Sequence, residues 1–103
     1  MATPRVSLEQ WRALVAVVDG GSYSKAADAL HKSQSSITYA LQQLESDLGV
    51  KAFKIEGRKA VLTPTGHLLY RRARYLLDES AQLERSAQRR SAVGNRDRVN
   101  LDQ

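Results

Sequence analysis

The chain has 103 residues, of which 16 are basic and 11 acidic, giving a formal net charge of +5 and a pI near 9.9. This length suits one small domain with a single core, and the basic balance favours a polyanionic partner. The absence of cysteine excludes disulfides and thiolate metal sites, and the lack of an apolar run of about 18 residues or a signal-peptide core predicts a cytoplasmic protein without membrane contact.

The first predicted helix begins after Ser7, which lies three residues before Gln10, the spacing of a capping box. Apolar residues then recur at helical spacing, and the glycine pair at residues 20–21 ends the pattern. We interpret this face as core, with Trp11 as a packing anchor. Its members are Leu8, Trp11, Leu14, Val15 and Val18.

A short second helix is predicted in the segment SYSKAADALHKS, with Ser22 or Ser24 as its cap. Its inner face contains small residues that let another helix come close, and comprises Tyr23, Ala26, Ala27 and Leu30. A polar connection at His31 and Lys32 leads to a third helix, so the pair forms a helix-turn-helix, the unit that inserts its second helix into the major groove of DNA. Lys25 and Lys32 lie at the edges of this unit, as phosphate contacts or as ordinary solvated lysines.

The third predicted helix lies between Ser33, a capping residue, and Gly49, which favours a left-handed helix end. Its buried stripe follows the four-three-four spacing of Ile37, Leu41, Leu44 and Leu48. The opposite face has no charged side chain between Gln34 and Leu44, although exposed helix faces usually contain Lys and Glu. Uncharged hydrogen-bonding side chains suit base edges, and the acid-free first half suits phosphate. The alternative is an amphipathic core helix with a merely polar outer face.

After Gly49 the pattern alternates, with apolar residues at 50, 52, 53 and 55 and again at 60–62. Two short strands around a turn at Gly57 predict a β-hairpin. Because its tip and edges are basic, we interpret it as a wing that lies along a neighbouring groove; a surface hairpin with solubilising lysines is the alternative. The predicted DNA-contact residues are Ser24, Lys25, Lys32, Ser33, Gln34, Ser35, Ser36, Thr38, Tyr39, Gln42, Gln43, Lys54, Arg58 and Lys59.

A long last helix is predicted from Thr63 and Pro64, a capping hydroxyl followed by the residue preferred at the first helical position. It runs to about Arg90, roughly 40 Å at 1.5 Å per residue. Apolar and small residues recur along it at spacings of four and three, forming a seam longer than a domain of about 60 residues can bury, so we expect a homodimer. The predicted dimerisation residues are Leu69, Ala73, Leu76, Leu77, Ser80, Leu83 and Ala87.

Several stretches together resemble the amino-terminal DNA-binding domain of the LysR-type transcriptional regulators: SYSKAADALHKSQSSITYALQQLESDLGVKAF, then Gly57 with Arg58, then LTPTG. The resemblance covers Leu8 to about Arg90. It implies a mainly α fold, a winged helix-turn-helix with three helices and a two-stranded β-hairpin wing, followed by a long dimerisation helix, the linker helix. It also implies sequence-specific binding of double-stranded DNA as a homodimer, or as a tetramer in a full-length parent.

The resemblance divides the chain into a DNA-binding domain (1–63), a linker helix (64–90) and a polar, flexible tail (91–103). In that family a larger effector-binding domain follows, and Val99 and Leu101 are expected to begin its first strand. We therefore expect a fragment that binds DNA, with small-molecule sensing confined to the missing domain.

The sequence departs from the commoner family pattern at two positions. Tyr39 stands where many members have arginine on the recognition helix, and Ile55 where many have arginine in the first wing strand. Contacts made by those arginines do not carry over to this chain. Tyr39 can donate to a base acceptor or pack against a thymine methyl, and basic wing contacts shift to Lys54, Arg58 or Lys59.

Catalysis is not indicated by the sequence. His31 and His67 lack the nearby acidic and histidine partners of a metal site, and no glycine-rich phosphate loop is present. We therefore expect neither an enzyme nor a cofactor. A competing hypothesis is a helical interaction module that dimerises through its long helix and whose polar third helix simply faces solvent.

Overall fold

The computed structural model describes residues 3–94, which form four helices and one β-hairpin. The elements in chain order are α1 (Leu8–Gly20), α2 (Tyr23–Leu30), α3 (Gln34–Leu48), β1 (Phe53–Glu56), β2 (Lys59–Leu62) and α4 (Pro64–Gly94). The predicted fold class is therefore confirmed. None of the helices in this range is long and apolar enough to cross a bilayer.

Local hydrogen bonds explain where the first two helices begin. The Ser7 hydroxyl accepts from the Gln10 amide at 3.2 Å, and Gln10 Oε1 accepts from the Ser7 amide at 2.8 Å, which is the predicted capping box. At α2 the Ser22 hydroxyl accepts from the Lys25 amide at 3.0 Å. Ser22 is therefore the cap of α2, and Ser24 lies exposed in its first turn.

The turn of the helix-turn-helix depends on His31, whose backbone is left-handed with φ of 57°. Across this turn the Lys32 amide donates to the Ala27 carbonyl at 2.9 Å. Ala26 and Ala27 are both buried where α2 packs against its neighbours. The small side chains predicted to allow a close approach of helices are thus at the contact itself.

The core lies between α1, α2 and α3, where Leu14, Ile37 and Leu44 are the largest fully buried side chains. Trp11 packs against this core and remains partly buried. The prediction that Leu48 belongs to the buried stripe is wrong, because its side chain is 39% exposed. Leu48 is the last residue of α3, and the core does not reach that turn.

The hairpin, called the wing (residues 53–62), is antiparallel, with Phe53 opposite Leu62 and Glu56 opposite Lys59. Gly57, at φ of 64°, supplies the positive φ that its two-residue turn needs. Opposite residues share a face, so one face combines Lys54, Glu56, Lys59 and Val61, and the other Phe53, Ile55, Ala60 and Leu62. Phe53 packs on the core beside Tyr23, with ring centroids 6.2 Å apart. The wing therefore has an apolar face and a charged face.

α4 begins at a junction with the segment before the wing. The Thr63 hydroxyl accepts from the Gly66 amide at 2.9 Å and donates to the Lys51 carbonyl at 2.5 Å. The Thr63 amide donates to the Ala52 carbonyl at 3.0 Å. The predicted capping role of Thr63 is confirmed, and Pro64 is the first helical residue.

α4 runs antiparallel along α1 and then continues beyond it. The Tyr70 hydroxyl donates to Asp19 near the end of α1, whereas Leu77 and Ser80 lie beside Leu8 at its start. Arg74 also donates to the Tyr70 hydroxyl, at 2.9 Å, and so connects two turns of α4 to Asp19. These polar contacts align the two helices at the edge of the core.

The end of α4 differs from the prediction. The helix extends to Gly94 rather than Arg90, so residues 91–94 are helical and not part of an irregular tail. The remainder of the predicted tail, including Val99 and Leu101, lies outside the described residues.

The predicted seam of α4 divides between two environments. Members that pack on the chain's own domain are Leu69, Ala73, Leu77 and Ser80. Members that are exposed are Leu76, Leu83 and Ala87. The expectation of a partner-facing residue is wrong at Ala73, which is only 3% exposed because the first half of α4 covers α1. Leu69, Leu77 and Ser80 are partly buried, and their role in a dimer stays a prediction.

Gly66 provides a test of the junction between α4 and the wing. A methyl group at this position would lie 2.0 Å from the Ala52 carbonyl oxygen. Glycine to alanine inside a helix normally stabilises by about 1 kcal/mol, yet we expect Gly66→Ala to destabilise by about 1–3 kcal/mol because the backbones must move apart. Urea unfolding followed by circular dichroism measures the change, with Thr65→Ala in the same turn as control. A Gly66→Ala variant at least as stable as the parent would contradict this close approach.

Candidate nucleic-acid interface

The outer face of α3 is a ridge of uncharged hydrogen-bonding groups. Ile37, Leu41 and Leu44 are buried on the opposite side, which holds the helix against the core and leaves the polar side free. Tyr39 is the largest side chain of the ridge, and 63% of its surface is exposed. The other exposed members are Gln34, Ser35, Ser36, Gln42 and Ser46, and Thr38 and Gln43 are partly exposed. The structure thus brings all the predicted α3 residues onto one accessible surface.

Three serines form a hydrogen-bonded cluster at the start of this ridge. The Ser33 hydroxyl accepts from the Ser36 amide at 3.1 Å, donates to the Ser36 hydroxyl at 2.9 Å and lies 3.1 Å from the Ser35 hydroxyl. With these contacts made, Ser33 orders the helix start and has little bonding capacity left for a ligand. Ser36 is the acceptor in its bond with the Ser33 hydroxyl, so its own proton is not used in that bond.

Two further side chains of the ridge are oriented by neighbours one turn away. The Thr38 hydroxyl donates to the Gln34 carbonyl at 3.1 Å, so its proton stays within the helix. Gln43 Nε2 donates to the Tyr39 hydroxyl at 2.8 Å. Gln42, by contrast, is exposed and is not held by a side-chain hydrogen bond within the described part of the chain. The ridge therefore contains groups that a hydrogen bond within the helix orients, and at least one exposed group, Gln42, that is not oriented in this way.

Basic residues flank the ridge on the helix-turn-helix side. Lys25 is exposed in the first turn of α2, beside exposed Ser24. Lys32 lies 3.9 Å from Glu9, and Arg12 binds the same carboxylate at 3.1 Å. All of these groups are about half exposed, so the ion pairs are weak and leave the cations available to other anions. Arg12 is a basic residue near Lys32 that was not predicted from the sequence.

The wing is less basic than its three cations suggest. Lys54 forms an ion pair with Glu56 at 3.2 Å, and Lys59 lies directly opposite Glu56 in the strand register. Arg58 occupies the exposed turn next to Gly57. The charged face and tip therefore combine three positive groups with one negative group, and Glu56 moderates the field of the two lysines.

Glu45 connects α3 to the wing. Its Oε2 accepts from the amides of Ala52 and Phe53, at 2.7 and 3.3 Å. No role for Glu45 was predicted from the sequence. The sequence does contain a signal for this role of Glu45. It is the first acidic residue after a long uncharged stretch, and the loop that it binds begins within one helical turn of it.

Tyr23 lies where α2, the wing and Glu45 come together. Its ring is tilted by 60° against Phe53. Burial, and to a smaller extent the negative charge of Glu45, raises the pKa of Tyr23 above its ordinary value. The Tyr23 ring therefore contributes to packing in its neutral form.

The described residues contain no arrangement that points to metal chemistry. Among residues 3–94, no group of three or more His, Asp or Glu side chains is close enough to hold a metal ion. His31 serves as the left-handed residue of the turn, and His67 is exposed in the first turns of α4.

The sequence matches a family description that agrees with this geometry. The family is described as "Bacterial regulatory helix-turn-helix protein, lysR family", and the match covers residues 8–67. The chain belongs to the LysR family. The matched range of this LysR-family chain includes α1, α2, α3, the wing and the start of α4.

Relatives and solved structures agree with this assignment. A probable RuBisCO transcriptional regulator of Cyanophora paradoxa is 45% identical over 65 residues, which cover 63% of this chain and 20% of that protein. A solved BenM_DBD/catB site 1 DNA complex has a TM-score of 0.78 at 34% identity, covering 82% of this chain and 96% of the other. Oxidised OxyR of Corynebacterium glutamicum has a TM-score of 0.79 at 32% identity, covering 91% of this chain and 28% of the other. This LysR-family chain thus spans about a fifth of the length of the curated relatives it matches.

Glu45 offers a test of how α3 and the wing are held together. In Glu45→Ala the amides of Ala52 and Phe53 lose their acceptor, and a lost partner of a buried amide costs about 1–3 kcal/mol. We expect both amides to exchange faster with solvent while the core amides of α1 keep their protection. Hydrogen exchange measured by NMR tests this, with Asp47→Ala, an exposed acid of α3, as control. Unchanged protection at both amides would mean that packing alone holds the wing.

Proposed function

We propose that this chain is the DNA-binding part of a transcriptional regulator that binds a pseudopalindromic operator as a homodimer. α3 enters the major groove, and the wing, Lys25 and Lys32 contact phosphates on either side. The observation that carries the proposal is the exposed, uncharged polar face of α3 in a chain with a net charge of +5. The DNA complex of BenM_DBD, similar in fold at 34% identity, supports it.

The charge distribution supports a division between affinity and specificity. α3 has no acid in its first turn, so the partial positive charge of its amino terminus attracts phosphate without competition. The exposed cations of the flanks supply the salt-dependent part of the affinity. The neutral ridge leaves sequence to be read through hydrogen bonds to base edges.

The proposed roles within the predicted contact set are not uniform. Ser33 acts by ordering the start of α3, because its hydroxyl is already engaged with Ser35 and Ser36. Ser24 accompanies Lys25 at the phosphate backbone. The proposed contacts of the ridge are Gln34, Ser35, Ser36, Thr38, Tyr39, Gln42 and Gln43, and those of the wing are Lys54, Arg58 and Lys59.

The proposed dimer uses the face of α4 that the chain's own domain leaves open. Leu76 is 42% exposed and Leu83 71% exposed, and Leu68 and Tyr75 are also large exposed apolar side chains of α4. A stripe of this kind on a monomer is an interaction surface. In the dimer each α3 would meet one half-site, with half-sites about 34 Å apart or a multiple of that spacing.

The proposed organisation retains the division into residues 1–63 as the DNA-binding domain and α4 as the linker. In the full-length parent, which we propose to be a cytoplasmic dimer or tetramer, a small-molecule effector binds outside this region. Membership of the LysR family supports these properties.

The second candidate function is a helical interaction module, favoured by the exposed apolar stripe of α4. It predicts a dimer that is indifferent to DNA and to changes of charge in the wing. The two functions differ in what the ridge of α3 does, so measurements on DNA separate them.

The deciding experiment is selection of DNA from a random library by the purified chain, followed by binding of the enriched duplex at several salt concentrations. We expect a pseudopalindrome with a steep salt dependence. Dimerisation without enrichment of any sequence would favour the interaction module.

Gln42 tests specific contact by the ridge. Gln42→Ala removes an exposed amide from α3, and a good bidentate base contact is worth about 1–3 kcal/mol, roughly 5- to 150-fold in affinity. We expect that loss on the selected operator and no change on unrelated DNA. Fluorescence anisotropy with both duplexes measures the ratio of the affinity for the operator to the affinity for unrelated DNA. Equal losses on both would reassign Gln42 to phosphate positioning.

The wing gives a test in which two substitutions act in opposite directions. Arg58→Ala removes one cation, and the slope of log K against log salt should become shallower by about one. Glu56→Gln releases Lys54 from its ion pair, so affinity should rise and the slope should steepen by up to about one. Titrations across a salt series measure both slopes. Two unchanged slopes would exclude the wing from the DNA contact.

Leu83 tests the proposed dimer face. It is 71% exposed, so Leu83→Glu should leave the fold intact while introducing a charge into the apolar contact. We expect a folded monomer with weakened operator affinity, measured by analytical ultracentrifugation and anisotropy. Gln82→Glu adds the same charge on an adjacent, exposed position and serves as control. A Leu83→Glu variant that dimerises like the parent would exclude this face.

A further inference from the structure

Tyr39 and Gln43 form a hydrogen-bonded pair on the ridge of α3. Gln43 Nε2 donates to the Tyr39 hydroxyl at 2.8 Å, and the residues are four apart, so their side chains lie side by side on one helix face. Tyr39 is 63% exposed and Gln43 is partly exposed. Both polar groups can therefore meet the same ligand.

The hydrogen atoms of this pair determine what it can offer. The phenol oxygen accepts from Gln43, so the single phenol proton points away from the amide and is free to donate. Gln43 Oε1 remains beside it as an acceptor. If the amide is flipped, Tyr39 donates its proton to Gln43 Oε1. The phenol oxygen is then free to accept from a ligand, and the amide nitrogen is free to donate to it. In both arrangements the pair presents a donor next to an acceptor, and Gln43 Nε2 has a second proton in addition.

Only one base offers the complementary pattern on its own major-groove edge. Adenine has the N7 acceptor next to the N6 donor, whereas guanine presents two acceptors, N7 and O6. Thymine combines an acceptor with a methyl group, and cytosine presents one donor. A single glutamine reads adenine with the same donor and acceptor; here the two groups come from two side chains.

We propose that Tyr39 and Gln43 act as one unit that reads a single adenine in each half-site, with Gln43 also fixing the direction of the Tyr39 proton. This rests on the proposed function, because it presumes that α3 lies in the major groove. Because Gln43 orients the phenol before DNA binds, less side-chain conformational entropy is lost on binding. Loss of either residue therefore weakens the same contact.

The test is a double-mutant cycle on the operator selected by the parent chain. Tyr39→Phe removes the phenol oxygen, and Gln43→Leu removes the amide at similar size. Affinities of the parent, both single variants and the double variant are measured on the operator and on duplexes with one base pair replaced at a time. Circular dichroism checks that each variant is folded.

We expect the selected half-site to contain an adenine at which both single variants lose discrimination, by roughly 5- to 150-fold. The double variant should lose little more than either single variant, because the contact is already broken. Gln42→Leu is the matched control, because Gln42 lies outside the pair. It should lose discrimination at another base pair, and its fold-loss of affinity should multiply with the fold-loss caused by Tyr39→Phe.

Three results would overturn the inference. Losses of Tyr39→Phe and Gln43→Leu at different base pairs, or losses that multiply in the double variant, would mean independent contacts. Guanine as the base read by both residues would mean that the phenol proton and the second proton of Gln43 Nε2 both donate, and not the predicted donor beside an acceptor. Failure of the parent chain to enrich any sequence would reject the proposed function itself and this inference with it, an outcome separate from the other two.

Discussion

The backbone of Ala52 joins the three parts of the molecule on which the proposed function depends. Its amide is bonded to Glu45 of α3 at 2.7 Å, and its carbonyl accepts from Thr63, the cap of α4, at 3.0 Å. Gly66 approaches the same carbonyl so closely that no side chain fits there. Ala52 is 1% exposed, and an unpaired buried backbone group costs about 1–3 kcal/mol. Moving α3, the wing or α4 separately therefore breaks a bond that water does not replace.

This junction bears on how two surfaces can meet one duplex. The ridge of α3 and the charged face of the wing are on separate elements, and Glu45 is the direct bond between them. In the proposed complex, a base contact and a phosphate contact are made at the same time only if their separation is set before binding. Backbone hydrogen bonds set that separation more rigidly than contacts between exposed side chains do.

Acidic residues moderate the basic flanks of the proposed DNA interface. Glu9 lies between Arg12 and Lys32, and Glu56 lies beside Lys54. Contacts with phosphate bind all sequences alike, so a weaker positive field reduces binding to unrelated DNA. In the proposed complex, the neutral ridge then contributes a larger share of the total affinity for the operator. The net charge of +5 alone does not reveal this balance, because it does not say where the acids lie.

The sequence by itself determined the order and type of the elements, because caps, glycines and apolar spacing are local signals: Ser7 with Gln10, Ser33, Gly49 and Thr63 with Pro64 all begin or end elements as predicted. It also indicated the uncharged ridge of α3. Only the tertiary structure decided which apolar residues of α4 are buried within the chain. Ala73 and Leu83 belong to the same predicted seam, but of these two only Ala73 packs against the core. The tertiary structure likewise decided the roles of Glu45 and Glu56 and the pairing of Tyr39 with Gln43. Periodicity reports which residues share a helix face, whereas burial and pairing depend on what the rest of the chain brings to that face.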